Sequence, residues 1–210
     1  IMACDVENPG ELEAVHDRIR ATWGRLDFVL HSIAFAPKAD LQGRVVDCSK
    51  DGFALAMDVS VHSFVRMAKL AEPLMGDGGC LLSMTYCGAE KVVDHYNLMG
   101  PVKAALDSSV VFLAKSMADA GVRFNAVSPS LLKTRSAAGI PGYADSYLYA
   151  EHLTLRGRGV QVDEVANTVA FMLSPRSSGI NAQSVVVDAG MAVNGFDERV
   201  VSAALKGGLA

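Results

Sequence analysis

The chain has 210 residues, half of them hydrophobic and 20% charged, which predicts one domain with a sizeable core and excludes a disordered protein. Nineteen Lys and Arg against 23 Asp and Glu leave a net charge of −4 without a basic stripe, which argues against a nucleic-acid surface. No run of apolar residues is long enough for a membrane span, and Ile1 to Val6 lacks the charged and apolar regions of a signal peptide.

Ile1 to Val6 is a short apolar run that reads as a strand with Asp5 at its end. Asn8-Pro9-Gly10-Glu11 reads as a helix start, with Asn8 capping, Pro9 at the first position and Glu11 in capping-box register. Leu12, Val15, Ile19 and Trp23 follow at helical spacing and stop at Gly24. Leu26 to Ala36 is nearly continuous in apolar residues, the pattern of a strand buried on both faces of a parallel sheet. A long helix is expected from about Lys50 to Met75, then a turn at Gly76 to Gly79 and a strand from Cys80 to Met84. A further helix is expected from about His95 to Ala118, and a strand from Val122 to Val127. Ser128 to about Gly159 reads as irregular, with residues 130–160 as a substrate-binding loop whose Tyr143, Tyr147 and Tyr149 either line a tunnel or pack on one another as a lid. A helix opening at Asp163 and a strand from Val185 to Val187 close the pattern. Strand and helix alternate throughout, so the fold class is α/β, a single domain built on a doubly wound parallel sheet.

Ligands of such a sheet sit beyond the C-terminal strand ends. Asp5, Ser32, Ser83 to Tyr86 and Ser128 to Thr134 are the polar residues at those ends. Tyr86, Tyr96 and Lys103 carry the strongest chemical signal. On a helix, seven residues turn through about 700°, which sets Tyr96 and Lys103 on one face about 10 Å apart. A phenol and an ammonium so placed suit carbonyl reduction: the phenol donates to a developing oxyanion, and the cation lowers the cost of charge and can hold a cofactor hydroxyl. From spacing alone, a surface lysine beside a half-buried tyrosine is the more ordinary reading. The five histidines show no metal-ligand spacing, and no serine sits in G-x-S-x-G. Cys4, Cys48, Cys80 and Cys87 form no C-x-x-C pair and read as reduced residues of a cytoplasmic protein.

Tyr86, then nine residues, Tyr96, then six residues and Lys103 resembles the signature of bacterial NADH-dependent enoyl-[acyl-carrier-protein] reductases, a branch of the short-chain dehydrogenase/reductases. The commoner superfamily spacing, lysine four residues after tyrosine, is absent: Glu90 and Gly100 stand there. Cys4-Asp5-Val6, His31 to Pro37, Ser83 to Tyr86, Tyr96 to Leu106, Arg123 to Pro129 and Leu132 to Thr134 agree in order, and the resemblance covers about residues 1–195. Ser130 and Leu131 stand where the family usually has Gly and Pro. Val187-Asp188-Ala189-Gly190 replaces a double glycine, and Arg156-Gly157-Arg158 replaces adjacent arginines.

The resemblance implies reduction of a trans-2-enoyl thioester on acyl carrier protein by NADH in fatty-acid biosynthesis. Tyr86, Tyr96 and Lys103 are then the catalytic residues, with Lys103 on the nicotinamide ribose. Asp5 and Val6 meet adenine, Ser32 and Ile33 flank the cofactor, and Leu132 and Thr134 fix its carboxamide. Ala36 and Tyr86 contact the substrate, and basic residues around 133–158 receive the acidic carrier protein. NADPH stays open, because the deciding second-strand residues are not in the sequence. A homo-oligomer, a tetramer by resemblance, is expected through the helices near 50–75 and 95–118, whose Ala54, Val61, Val65, Ala104 and Ser108 permit close approach. A short-chain ketoreductase and a catalytically silent oligomeric or regulatory paralogue are the rival readings. The resemblance aligns Ile1 with the third strand of the family, and no stretch completes G-x-G-x-x-G. A protein beginning there is expected to be poorly soluble and to bind NADH weakly.

Overall fold

Apolar runs set between polar turns become four parallel strands in the computed structural model, which describes residues 1–134, 137 and 142–206. The strands are β1 (Phe28–His31), β2 (Gly79–Met84), β3 (Val122–Pro129) and β4 (Gln183–Val187), and they neighbour one another in that order. The helices are α1 (Glu11–Trp23), α2 (Lys38–Leu41), α3 (Lys50–Met57), α4 (Ser63–Ala71), α5 (Met99–Ser116), α6 (Tyr143–Leu153), α7 (Val162–Leu173) and α8 (Glu198–Lys206). Strand alternation divides the core. Leu81, Phe124 and Ala126 face one side with Phe64 of α4 and Val102 and Leu106 of α5, while Leu82 and Val127 face the other with Val165 and Met172 of α7. The α/β sheet covered on both sides stands as expected.

The differences lie at element ends. Residues 1–5 form no strand and pair with no neighbour. Helix α1 starts at Glu11, because Gly10 takes a left-handed φ of 86° and ends the turn that Asn8 and Pro9 begin. Glu11 still reaches back, but to the Asp5 N–H at 2.6 Å and the Asn8 side-chain amide at 2.8 Å. Strand β1 is not buried on both faces: Phe28 and Leu30 stand 51% and 43% exposed and line a groove of about 1470 Å³ against α7. The long helix expected over 50–75 is interrupted by a π-helical turn, Asp58–His62, between α3 and α4. The expected irregular stretch 128–159 contains α6, entered from Gly142 at a left-handed φ of 69°. Of the 130–160 loop, residues 135, 136 and 138–141 lie outside the described residues.

Val61, expected on an exposed helix face, is 6% exposed and belongs to the main core. Ala104, Ser108, Val111 and Phe112 do share an exposed stripe of α5, at the i, i+4, i+7, i+8 positions of one face.

Candidate active site

Three strand ends converge. The β1–β2 register sets His31 beside Ser83, and the β2–β3 register sets Ser83 beside Ala126 and Met84 beside Val127. Fully buried His31 is pinned from both ring nitrogens, to Ser83 Oγ at 2.9 Å and to Ser63 Oγ at 2.8 Å. Burial first, and the Lys103 charge second, push it down to about 4, so the ring is neutral and serves as a strut.

Tyr86 follows β2, and Tyr96 stands on a turn ahead of α5 rather than on the helix, because His95 and Asn97 take left-handed φ of 65° and 30°. The seven-residue helical repeat therefore does not relate Tyr96 to Lys103. What holds Tyr96 is its neighbourhood. Its ring meets that of Tyr86 edge to face, with centroids 4.9 Å apart and planes at 69°. Asn97 fastens the turn by donating Nδ2–H to Leu41 C=O at 2.9 Å. Gly88 lies against both rings: a Cβ there would stand 2.6 Å from Tyr96 Cδ1 and 3.0 Å from Tyr86 Cδ1. Burial lifts both phenols well above their ordinary range, so at neutral pH each is a hydrogen-bond donor.

Lys103 points from α5 toward the end of β2 and donates Nζ–H to Met84 C=O at 2.6 Å. It is 6% exposed, and burial pushes it down to about 8 against the opposing pull of Asp107.

Two depressions meet here. Tyr86, Tyr96, Ser130, Leu131, Leu132 and Tyr143 line a cleft of about 710 Å³. A second hollow of about 1460 Å³ shares Tyr86, Leu131 and Ser146 with it and continues past Tyr149 and Leu153. Ser32, Met84 and Leu132 line the groove against α7, so Leu132 borders both groove and cleft. Tyr143 donates its hydroxyl to Leu132 C=O, and Lys133 Nζ lies 4.4 Å from the Tyr147 ring centre.

The remaining expected site residues divide. Val6 and Ile33 come together, since buried Val6 packs with Leu12, Val59 and Met67, and Ile33 packs against them. Ala36 packs on the main core, and its neighbour Phe35 is clamped by Ser60 of the π-helical turn. Ser60 Oγ accepts from Phe35 N–H at 3.0 Å and donates to Phe35 C=O at 3.2 Å. Asp5 is exposed and accepts from the Glu7 N–H at 3.0 Å. Thr134 is exposed, with Oγ1 accepting from Ala137 N–H at 3.1 Å. Arg156 and Arg158 both pair with Glu164, at 2.7 and 3.0 Å, and with the Gln161 N–H they hold its carboxyl far below the usual range. Spacing alone did not single out Gly88 or Ser60, whereas Tyr143 belongs to the loop expected to meet the substrate. Gly88, two residues after Tyr86, carried the one usable signal, a glycine directly behind a candidate catalytic residue.

The family model described as "Enoyl-(Acyl carrier protein) reductase" matches residues 1–192. The chain belongs to this family. It is 43% identical over 187 residues to "Enoyl-[acyl-carrier-protein] reductase [NADH] 1" of Rhizobium meliloti (strain 1021), covering 89% of this chain and 69% of that protein. The Aquifex aeolicus (strain VF5) enoyl-[acyl-carrier-protein] reductase [NADH] is 39% identical over 207 residues, covering 95% and 76%. Among solved structures, the enoyl-(acyl-carrier-protein) reductase of Anaplasma phagocytophilum, in complex with NAD, superposes with a TM-score of 0.89. It is 36% identical, over 94% of this chain and 75% of that one. The family's fold is Rossmann-like, within the short-chain dehydrogenase/reductases, and the parallel sheet described above is part of it.

Proposed function

We propose that the chain reduces trans-2-enoyl-[acyl-carrier-protein] to acyl-[acyl-carrier-protein] with NADH, as an oxidoreductase acting on a carbon–carbon double bond in fatty-acid biosynthesis. The observation that carries this reading is the pair of neutral phenols, Tyr86 and Tyr96, lining an apolar cleft that meets a second groove at Leu132. The groove reaches the strand ends at the expected cofactor residues Ser32 and Leu132, and the buried Lys103 cation donates to the Met84 carbonyl at the end of β2.

NADH, when bound, supplies the hydride that adds to C3 of the enoyl thioester. Reduction at C3 places negative charge on the thioester oxygen, and Tyr96 donates a hydrogen bond to it from a phenol that burial keeps protonated. Tyr86 packs against Tyr96, meets the acyl chain and assists the protonation at C2 that completes the reduction, with Ala36 on the substrate side. Lys103 holds the nicotinamide ribose, Ile33 and Ser32 flank the ring, Leu132 and Thr134 fix the carboxamide, and Asp5 and Val6 meet adenine. Residues 130–160 form the substrate-binding loop. The hollow running past Tyr149 and Leu153 suits an extended acyl chain. Acyl carrier protein is the substrate partner; Arg156 and Arg158 are engaged with Glu164, which turns attention to Lys133 as a docking cation. The four cysteines are unpaired, in keeping with a cytoplasmic setting, and no described helix is long and apolar enough to cross a membrane.

Crotonyl-thioester-dependent loss of NADH absorbance tests the assignment. A ketoreductase oxidises the cofactor with a 3-oxoacyl thioester instead, and a silent paralogue with neither. Gly88→Ala is expected to lower turnover by as much as about 10²-fold, because the added methyl must push the Tyr96 ring aside. Steady-state kinetics beside thermal melting checks this, and an unchanged turnover would show the two rings free to shift.

A homo-oligomer is part of the same reading. The α5 stripe includes Val111 and Phe112, 51% and 73% exposed, beside the small residues Ala104 and Ser108. Light scattering at micromolar concentration is expected to give a mass well above 22.2 kDa, and Phe112→Asp to reduce it. A wild-type mass of one chain would count against the stripe as an interface.

A further inference from the structure

Lys103 does not stand alone behind the strand end. Helix α5 places Asp107 one turn after it, about 5–6 Å away between Cβ atoms. The half-buried Asp107 carboxylate accepts Thr85 Oγ1–H at Oδ2, 3.0 Å away. Its other oxygen, Oδ1, is buried and has no hydrogen-bond partner among the described residues. Lys103 Nζ meanwhile spends a hydrogen bond on Met84 C=O. Two consecutive residues of one strand end, 84 and 85, are thus tied to two residues of one helix, 103 and 107. A buried carboxylate with an uncompensated oxygen is costly unless a nearby cation offsets it.

We infer that Asp107, oriented by Thr85, is a positioning residue that partners the Lys103 cation at the end of β2. The inference rests on the reading that Lys103 serves the cofactor, but the Lys103–Asp107 coupling can be observed without any ligand. Burial of Lys103 favours its neutral form, and the Asp107 carboxylate opposes this. Other titratable groups surround the pair. His31 on β1 stays neutral, and Tyr96 is lifted by burial, by Cys87 and by Asp107 itself. Asp107 is raised first by burial and then by Glu90, against the Thr85 hydrogen bond and the Lys103 charge. Of these groups, Asp107 is the one that favours the lysine cation.

The sign follows directly. Removing the Asp107 charge leaves the desolvation unopposed, so Lys103 gives up its proton at lower pH. Titration of the lysine side-chain 13Cε resonances in the ligand-free chain, with Lys103 assigned by its loss in Lys103→Arg, reads this directly. The wild-type midpoint is expected near 8. Asp107→Asn is expected to lower it by about one pH unit or more. Asp107→Glu keeps the charge and should hold the midpoint near the wild-type value. Thr85→Val leaves Lys103 and Asp107 in place, but frees the carboxylate to turn, and is expected to lower the midpoint by a smaller amount. If neither Asp107→Asn nor Thr85→Val moves the Lys103 midpoint, the inference is overturned. NADH fluorescence titration across the same pH range then tests the underlying reading. Should the midpoint move while NADH affinity ignores it, the coupling stands and the cofactor role of Lys103 falls.

Discussion

Tyr96→Phe lowers turnover by about 10²- to 10³-fold while leaving the Michaelis constant for the enoyl thioester nearly unchanged. The substitution removes one oxygen and keeps the ring that packs edge to face on Tyr86 and over Gly88. The lost interaction is made mainly after charge reaches the thioester oxygen, so ground-state binding changes little. Burial keeps the phenol protonated, and the loss should therefore be the same throughout the neutral range rather than appear at one end of it. Steady-state kinetics beside a thermal melt checks the result. Equal turnover in the two proteins, with equal melting, removes Tyr96 from the chemistry.

Phe64→Ala costs about 3–5 kcal/mol of folding stability, a large share of the 5–15 kcal/mol typical of a domain. Phe64 is fully buried and joins three elements. From α4 it meets the His31 ring on β1 with centroids 5.1 Å apart, and the Phe124 ring on β3 at 6.0 Å, edge to face. The side-chain strut formed by His31, Ser63 and Ser83 sits on the same side and hinders collapse of the cavity. The urea midpoint is expected to fall by more than about 1 M, since slopes are 1–3 kcal/mol/M for small proteins. A loss under about 1 kcal/mol would show that the site repacks and that the three elements are held together elsewhere.

Much of this architecture is written in local periodicity. The apolar runs around Leu30, Leu82 and Val127 become neighbouring parallel strands. Element ends were less legible, because they depend on backbone choices that composition does not fix. Asn8-Pro9 has the chemistry of a helix start, yet Gly10 adopts the left-handed conformation and moves that start to Glu11. Helix α6 escaped notice because three tyrosines break the apolar period, and it buries only Tyr147 and Ala150. In the candidate site, Tyr86, Tyr96 and Lys103 were legible through a motif rather than through helical geometry, since Tyr96 lies before the helix. Ser60 gave no signal of its own, and Gly88 only its place two residues after Tyr86. What each does depends on a residue brought near by the fold, Phe35 for Ser60 and the two tyrosine rings for Gly88.

The π-helical turn at Asp58–His62 gives the chain a tolerance to a change in length that continuous helix lacks. A π turn carries one more residue than an α turn, as if a single residue had been inserted. Removing one residue there lets the segment close into continuous α-helix while both flanks keep their places. Ser63 then stays on His31 and Phe64 stays in the core. The same removal inside α4 has no surplus to absorb it, and every later side chain swings by about 100° around the helix axis. What shortening the turn disturbs is the turn itself, where Ser60 clasps Phe35.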